Sequence, residues 1–209
     1  MKTLVECTLG NSKYRKNKTQ RLRTMIVNMG SAHDCPSAKL GLCQLANTSK
    51  CYAFRDERMY KQCLPYRRRQ GKQWKANCAG DIAKSFSEMN GRLRKKVTHL
   101  RLNESGDFAS LDDFAKACAI AKKLHDTDGI ETFVYTARRD ILTPLLLETA
   151  RECHMTVNGS GFMAHNNYRV VPKGYKPANK KEIYCQNNCH ICRACKTCKG
   201  LTILTECRG

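Results

Sequence analysis

Apolar periodicity is clear in one part of the chain, between Gly80 and Ser160, and weak on either side of it. Ile82, Phe86, Met89 and Leu93 recur at helical spacing and predict a helix from Asp81, as its cap, to about Arg94. Val97 to Leu102 reads as a strand. Ser110, with Asp113 three residues on, forms the acidic variant of a capping box. It opens a helix to about His125 with Leu111, Phe114, Ala115, Cys118 and Ala121 as its stripe. Ile130 to Tyr135 is a second strand, and Thr143 followed by Pro144 starts a helix ending near Cys153. Met155 to Val157 is a third strand. Alternation of strands and helices implies parallel strands joined by right-handed crossovers. The fold expected is α/β, a small parallel sheet or partial βα barrel, flanked by cysteine-rich metal-binding segments at both ends.

The flanks carry other signals. Thr24 to Val27 is the best candidate for a buried strand before residue 30. Residues 30–78 bear cysteines and look irregular, with a short helix around Phe54 to Gln62. Residues 161–209 form a basic segment punctuated by Gly, Pro and Asn, and end in a cysteine array. No internal repeat is present, and 209 residues suit a single domain with a βαβαβ core at 80–160.

Parallel strands all end on one edge, where open sheets and barrels bind ligands. The three following loops are Asn103–Phe108, Thr136–Asp140 and Asn158–Gly161. Glu104, Asp107, Arg138 and Asn158 are therefore the candidate catalytic residues, a carboxylate facing an arginine being able to act as base, nucleophile or ligand orienter. Loop salt bridges between these carboxylates and Arg101 or Arg138 are the structural alternative.

The chain has 14 cysteines. Five form a tail array, Cys185-x3-Cys189-x2-Cys192-x2-Cys195-x2-Cys198, dense enough to close a four-coordinate site from local sequence. Zinc and an iron–sulfur cluster both fit such thiolates. A second, looser group is Cys35, Cys43 and Cys51, with His33, Cys63 or Cys78 available as a fourth ligand. Closed by one of these, it is structural; left at three thiolates, it has one coordination position open. Cys118 and Cys153 sit among apolar helix neighbours and read as core.

Charge changes the picture further. Net charge is +20, yet residues 103–152 hold 10 acidic and 6 basic side chains, so the excess is confined to the flanks. Lys13, Arg15 and Lys16 form one basic run, and Arg67, Arg68, Arg69 and Lys72 another, interleaved with Tyr66 and Trp74. Cations beside aromatics are what gripping phosphates and stacking bases requires, so nucleic acid, DNA in the first instance, is the expected partner. No run is apolar enough to span a bilayer, and no secretory leader is visible. A cytosolic location follows, in which a disulfide framework is not expected.

Gly10–Lys13, the Cys35-Pro36…Cys43…Cys51-Tyr52-Ala53 run, Arg101-x-Asn103-Glu104-Ser105-Gly106-Asp107-Phe108, Tyr135–Arg138 and the tail array together resemble a family of tailed-phage proteins. That resemblance implies a phage product in the cytoplasm of an infected bacterium. The Cys-Tyr-Ala run and tail array are also similar to features of radical S-adenosylmethionine barrels with an auxiliary cluster, although the usual CxxxCxxC spacing is absent. This likeness implies S-adenosylmethionine as cofactor. Leu102 to Phe108 looks like the strand-end motif of guanine and deazaguanine transglycosylases, with Glu104 in place of its Asp and Asp107 in place of a Gly. It implies base exchange on nucleic acid. Three readings result, in this order: a base-modifying enzyme, a metal-stabilised nucleic-acid-binding regulator or host-defence antagonist, and a radical iron–sulfur enzyme.

Overall fold

A computed structural model describes residues 4–9, 23–46 and 51–206. Lys13, Arg15 and Lys16 lie outside the described residues. The strands are β1 (Thr8–Leu9), β2 (Thr24–Ile26), β3 (His99–Leu102), β4 (Glu131–Thr136), β5 (Met155–Ser160), β6 (Asn166–Val171), β7 (Glu182–Tyr184) and β8 (Thr202–Glu206). The helices are α1 (Pro36–Lys39), α2 (Tyr52–Met59), α3 (Cys63–Ala76), α4 (Ala79–Arg92), α5 (Leu111–Asp128) and α6 (Pro144–Glu152), with a 3-10 turn at Ala194–Lys196.

All eight strands join one sheet in the order β1-β2-β3-β4-β5-β6-β8-β7, and every pairing except β1 with β2 is parallel. The α/β expectation holds, and the sheet is larger than the three strands of the periodic core. From β2 to β6 the order never reverses, so right-handed crossovers place successive helices on the same face. This is barrel-type winding in a sheet that keeps two edges, β1 and β7.

Strand alternation divides the residues between the two faces. Leu100, Leu102, Val134, Met155 and Val157 meet Ile82 and Phe86 of α4, Phe114, Ala117, Ile120, Ala121 and Leu124 of α5, and Ala150 of α6 in one buried cluster. The interleaved positions, His99, Arg101, Phe133, Tyr135, Thr156 and Asn158, look the other way. That face, free of helices α4 to α6 and met by the Ala194–Lys196 turn, is polar and aromatic.

Local signals explain the helix starts. Ser110 caps α5 by accepting from the Asp113 amide, and Thr143 caps α6 by accepting from Leu146 with Pro144 at the first position. Gly129 ends α5 at φ 65°. The cap of α4 is Cys78, whose sulfur accepts from the Asp81 amide, so Asp81 belongs to the first turn and is not the cap. The expectation of an irregular segment at 30–78 is corrected, and the basic C-terminal segment proves to be part of the sheet. Residues 30–78 contain α3, whose buried face is Arg67, Gln70, Gln73 and Trp74. Residues 161–209 supply β6, β7 and β8 to the same sheet.

Candidate metal centre and strand-end site

The β3 end turns sharply because Asn103 and Gly106 both take positive φ, 54° and 76°. Gly106 is required there, since a Cβ would stand 2.7 Å from the Gly30 nitrogen. The Ser105 hydroxyl lies 2.6 Å from Asn28 Oδ1 and 2.8 Å from the Gly30 carbonyl, which locks this loop to the chain after β2.

The turn delivers Asp107 into the interior. Its Oδ1 accepts from Asn103 Nδ2 at 3.1 Å, Thr136 Oγ1 at 2.7 Å and the Phe108 amide at 2.9 Å. Its Oδ2 accepts from the Ala137 amide at 2.8 Å and from the Ser37 hydroxyl. A carboxylate offers about four lone-pair directions, and five donors saturate them. Burial pushes the Asp107 carboxyl up, while the Ser37, Thr136, Ala137 and Phe108 donors pull it down. Asp107 is therefore a hub that ties the β3 and β4 ends to the Cys35 loop. It has no lone pair free for a substrate proton, which corrects its catalytic assignment.

Arg138 does not face it as a catalytic partner either. Its guanidinium makes a bidentate pair with Asp140, at 2.9 Å for both bonds, and donates to the Phe108 carbonyl. Asn158 is fully buried; its Nδ2 donates to the Val134 and Cys195 carbonyls at 3.1 and 2.9 Å. Both are positioning groups. Glu104 remains at the rim of the polar face, 3.7 Å from Arg101. Around it the Tyr52 hydroxyl reaches the Glu104 carbonyl and accepts from Arg101 at 3.3 Å. Arg101 lies over the Tyr135 ring at 5.1 Å, and Tyr135 meets Tyr168 edge-on at 5.2 Å. Burial raises the phenols of Tyr52, to about 12, and of Tyr135 and Tyr168, so all three are neutral donors.

Both cysteine groups border this face. Cys35 and Cys51 are the N-caps of α1 and α2, and Cys51 is followed by Tyr52. Burial pushes the Cys35 thiol up to about 12, with the charges of Asp107 and Cys43 adding; Cys43 rises chiefly by burial too. A metal ion would replace those protons. On the other side, burial raises Cys195, opposed by a hydrogen bond from the Tyr135 hydroxyl. Lys196, 4% exposed, donates to the Cys189 carbonyl at 2.6 Å and passes its ammonium over Phe133 at 5.8 Å. Its burial is opposed by the charges of Cys195, Cys189 and Cys192. A buried ammonium beside three thiols is the electrostatic setting that thiolates need. Cys185 lies 3.9 Å from Asn187 Oδ1, and Cys198 is exposed, 3.6 Å from Thr156 Oγ1.

Among the described residues, no three cysteine sulfurs lie within 4.8 Å of one another. Zn–S bonds of about 2.3 Å in a tetrahedron put thiolates ~3.8 Å apart, so the spacing is wider than one zinc ion imposes. Two of the three proposed fourth ligands have other engagements. Cys78 caps α4, and His33 meets Phe54 at a tilt, centroids 4.5 Å apart, with Nε2 4.0 Å from Glu57. The compact ligand set that does occur, His125, Glu131 and His154, went unnoticed in the sequence because its members belong to three different elements.

The middle basic run is largely committed elsewhere. Trp74 is a core residue, 2% exposed, and its indole N–H donates to Asp113 at 2.9 Å. Arg67 is buried against Glu57 at 3.1 Å and donates to the Ala53 carbonyl at 2.8 Å. Neither can stack a base or grip a phosphate. Arg68 and Arg69 are exposed but paired with Asp34 and Glu6, while Lys72 is exposed. Among the described residues no helix is long and apolar enough to cross a membrane.

No curated protein and no solved structure matches the chain. A family model described as Gene product 88 matches residues 4–181, taking in the Cys35 group and the strand-end loops and stopping just before β7 and the tail array. The resemblance to phage proteins agrees with that match, and the chain belongs to the Gene product 88 family, a phage-type family.

Proposed function

We propose that this protein is an iron–sulfur enzyme with two thiolate-held clusters, its substrate lying between them on the polar face of the sheet. The observation that carries the reading is that both cysteine groups border one patch of polar and aromatic side chains. Tyr52, next to Cys51, bonds Arg101, and Arg101 covers Tyr135, whose hydroxyl donates to Cys195. The Lys196 ammonium beside Cys189, Cys192 and Cys195 supports a negatively charged thiolate-held group there. In the first group three thiolates leave one iron position open, where S-adenosylmethionine is the small molecule expected to chelate. Bound there, it would supply radical chemistry. The chain's own residues do the rest: Arg101 and Glu104 orient a polar substrate, the Tyr168 hydroxyl donates a hydrogen bond to it without losing its proton, and the Tyr52 and Tyr135 hydroxyls, engaged with Glu104 and Cys195, hold the site together. The +20 charge favours a nucleotide or nucleic acid as that substrate. Base exchange through Asp107 is less favoured, because its lone pairs are consumed.

The test is iron and acid-labile sulfide on anaerobically purified protein. Two cubane clusters correspond to about eight irons per chain. Cys43→Ser and Cys195→Ser are each expected to lose about half of that iron, from different clusters. Protein that is colourless, holds zinc at the cysteines and lacks sulfide would overturn the reading.

A further inference from the structure

We infer that His125, Glu131 and His154 form a binding site for a divalent transition ion of the zinc class, separate from the cysteines and at the opposite edge of the sheet. His125 lies in the last turn of α5, Glu131 is the first residue of β4, and His154 stands between α6 and β5. Their ligand atoms all lie within 4.8 Å of one another. His125 Nδ1 is 3.2 Å and His154 Nδ1 3.6 Å from the same oxygen, Glu131 Oε1.

Three further observations point to an ion. First, His125 Nδ1 is buried and, despite its nearness to Glu131, has no hydrogen-bond partner in acceptable geometry. Two atoms that approach without bonding suit a shared third atom between them. Second, the imidazoles are stacked in parallel, with centroids 3.3 Å apart and planes 4° apart. Both rings thus stand beside the one Glu131 carboxylate, and a turn of either about its Cβ–Cγ bond aims both lone pairs at one ion. Third, His154 has φ 58°, a left-handed conformation that costs a side chain with a Cβ. The Thr132 amide donates to its carbonyl at 3.0 Å and its own amide donates to Arg151 at 3.0 Å, so the backbone is held there. Retained strain of this kind points to a role for the side chain.

The electrostatics agree. Both α5 and α6 end at this site, and helix C-termini favour a cation. Two imidazoles and one carboxylate suit zinc, nickel, cobalt or copper, and suit neither the oxygen-seeking calcium and magnesium nor a soft all-thiolate ion. The side chains are 30%, 43% and 39% exposed, so water completes the coordination and the ion exchanges with solvent. Bound there, the ion would staple the end of α5 to the starts of β4 and β5.

Equilibrium dialysis of the full-length protein against low-micromolar zinc tests the site. Wild type is expected to hold one more zinc per chain than His154→Asn, a substitution chosen because asparagine tolerates the left-handed backbone. Glu131→Gln is expected to lose the same ion and guards against a folding defect in the first variant. Cobalt at this site should add weak visible bands without sulfur-to-metal charge transfer, which separates it from ion bound by cysteine. Equal zinc content in wild type and both folded variants overturns the proposal, as does added cobalt that shows only thiolate bands.

Discussion

Asn166 donates its side-chain amide to the Oδ1 of Asn158 at 3.1 Å, and neither residue is exposed to solvent. Between them, these two amides hold the second half of the tail array. Asn158 donates to the Cys195 carbonyl, and Asn166 donates to the Thr197 carbonyl while accepting from the Lys199 and Leu201 amides. The array is thus fastened through one side chain within β5 and one at the start of β6.

Replacing Asn166 by Ala strands several buried backbone groups at once. At about 1–3 kcal/mol for each unsatisfied group, and with partial relaxation, the cost should be roughly 3 kcal/mol. Chemical denaturation should read that loss. Metal analysis of the folded fraction should show tail metal lost while metal at Cys35, Cys43 and Cys51 is retained. A variant with unchanged metal content would contradict the clamp.

Trp74 is the only tryptophan, so its fluorescence reports directly on the core. Emission should be that of a buried indole and should shift to the red on unfolding. Trp74→Phe keeps most of the packing but loses the bond to Asp113, and should cost about 1–2 kcal/mol. Affinity for single-stranded DNA should not change, because the indole does not reach the surface.

Gly106 and Gly41 both have positive φ, 76° and 68°, but only Gly106 is crowded; at Gly41 nothing lies within 4 Å of an added Cβ. Gly41→Ala should therefore cost about 1–2 kcal/mol, the left-handed penalty alone. Gly106→Ala adds a clash with the Gly30 backbone and should cost several kcal/mol, typical of overpacking added to strain. Thermal unfolding of the two variants side by side measures the difference. Equal costs would mean that the β3 turn and the Gly30 backbone are not in close contact.

Acid should weaken the fold through two buried histidines. His165 Nδ1 accepts from the Val157 amide at 3.0 Å, so its other nitrogen carries the proton and donates to the Leu147 carbonyl at 2.8 Å. Burial lowers its pKa, and burial with the nearby charges of Lys196 and Arg193 lowers that of His99 to about 4. The unfolded chain protonates these rings near pH ~6.5 and the folded one resists, so stability is full above that pH and falls as pH drops toward 4. His99 alone accounts for roughly 3 kcal/mol at most. His99→Gln should flatten the decline in stability between these limits in urea titrations at stepped pH.

The central part of the fold was legible because its signals are local. Ser110, Thr143 and Pro144 mark helix starts by their own chemistry, and of the expected α5 stripe Phe114, Cys118 and Ala121 are buried while Leu111 and Ala115 are exposed. Helix α3 escaped because its inward face is Arg67, Gln70, Gln73 and Trp74, polar except for the indole, with Arg67 held by Glu57 and Gln70 by Glu6. Trp74 looked like a stacking residue because Lys72 and Lys75 flank it, and nothing nearby in sequence announces Asp113, 39 positions on. Strand β6 was hidden by Asn166, Asn167, Tyr168 and Arg169, residues that suit the polar face they help to build. At the candidate site the strand-end residues were found but their roles were not. Whether a carboxylate such as Asp107 is saturated or free depends on donors from three separate loops.

The position of β8 gives the chain a particular order of assembly. β7 is made first, yet it occupies the outer edge and pairs only with β8, which lies between it and β6. The stretch that must reach around to let the later strand slip inside is the one carrying Cys185 to Cys198. A growing polypeptide therefore cannot seat β7 in the sheet until β8 has emerged, and the cysteines between them meet their final neighbours only then. On the proposed reading, loading of the tail cysteines follows the seating of β8 between β6 and β7.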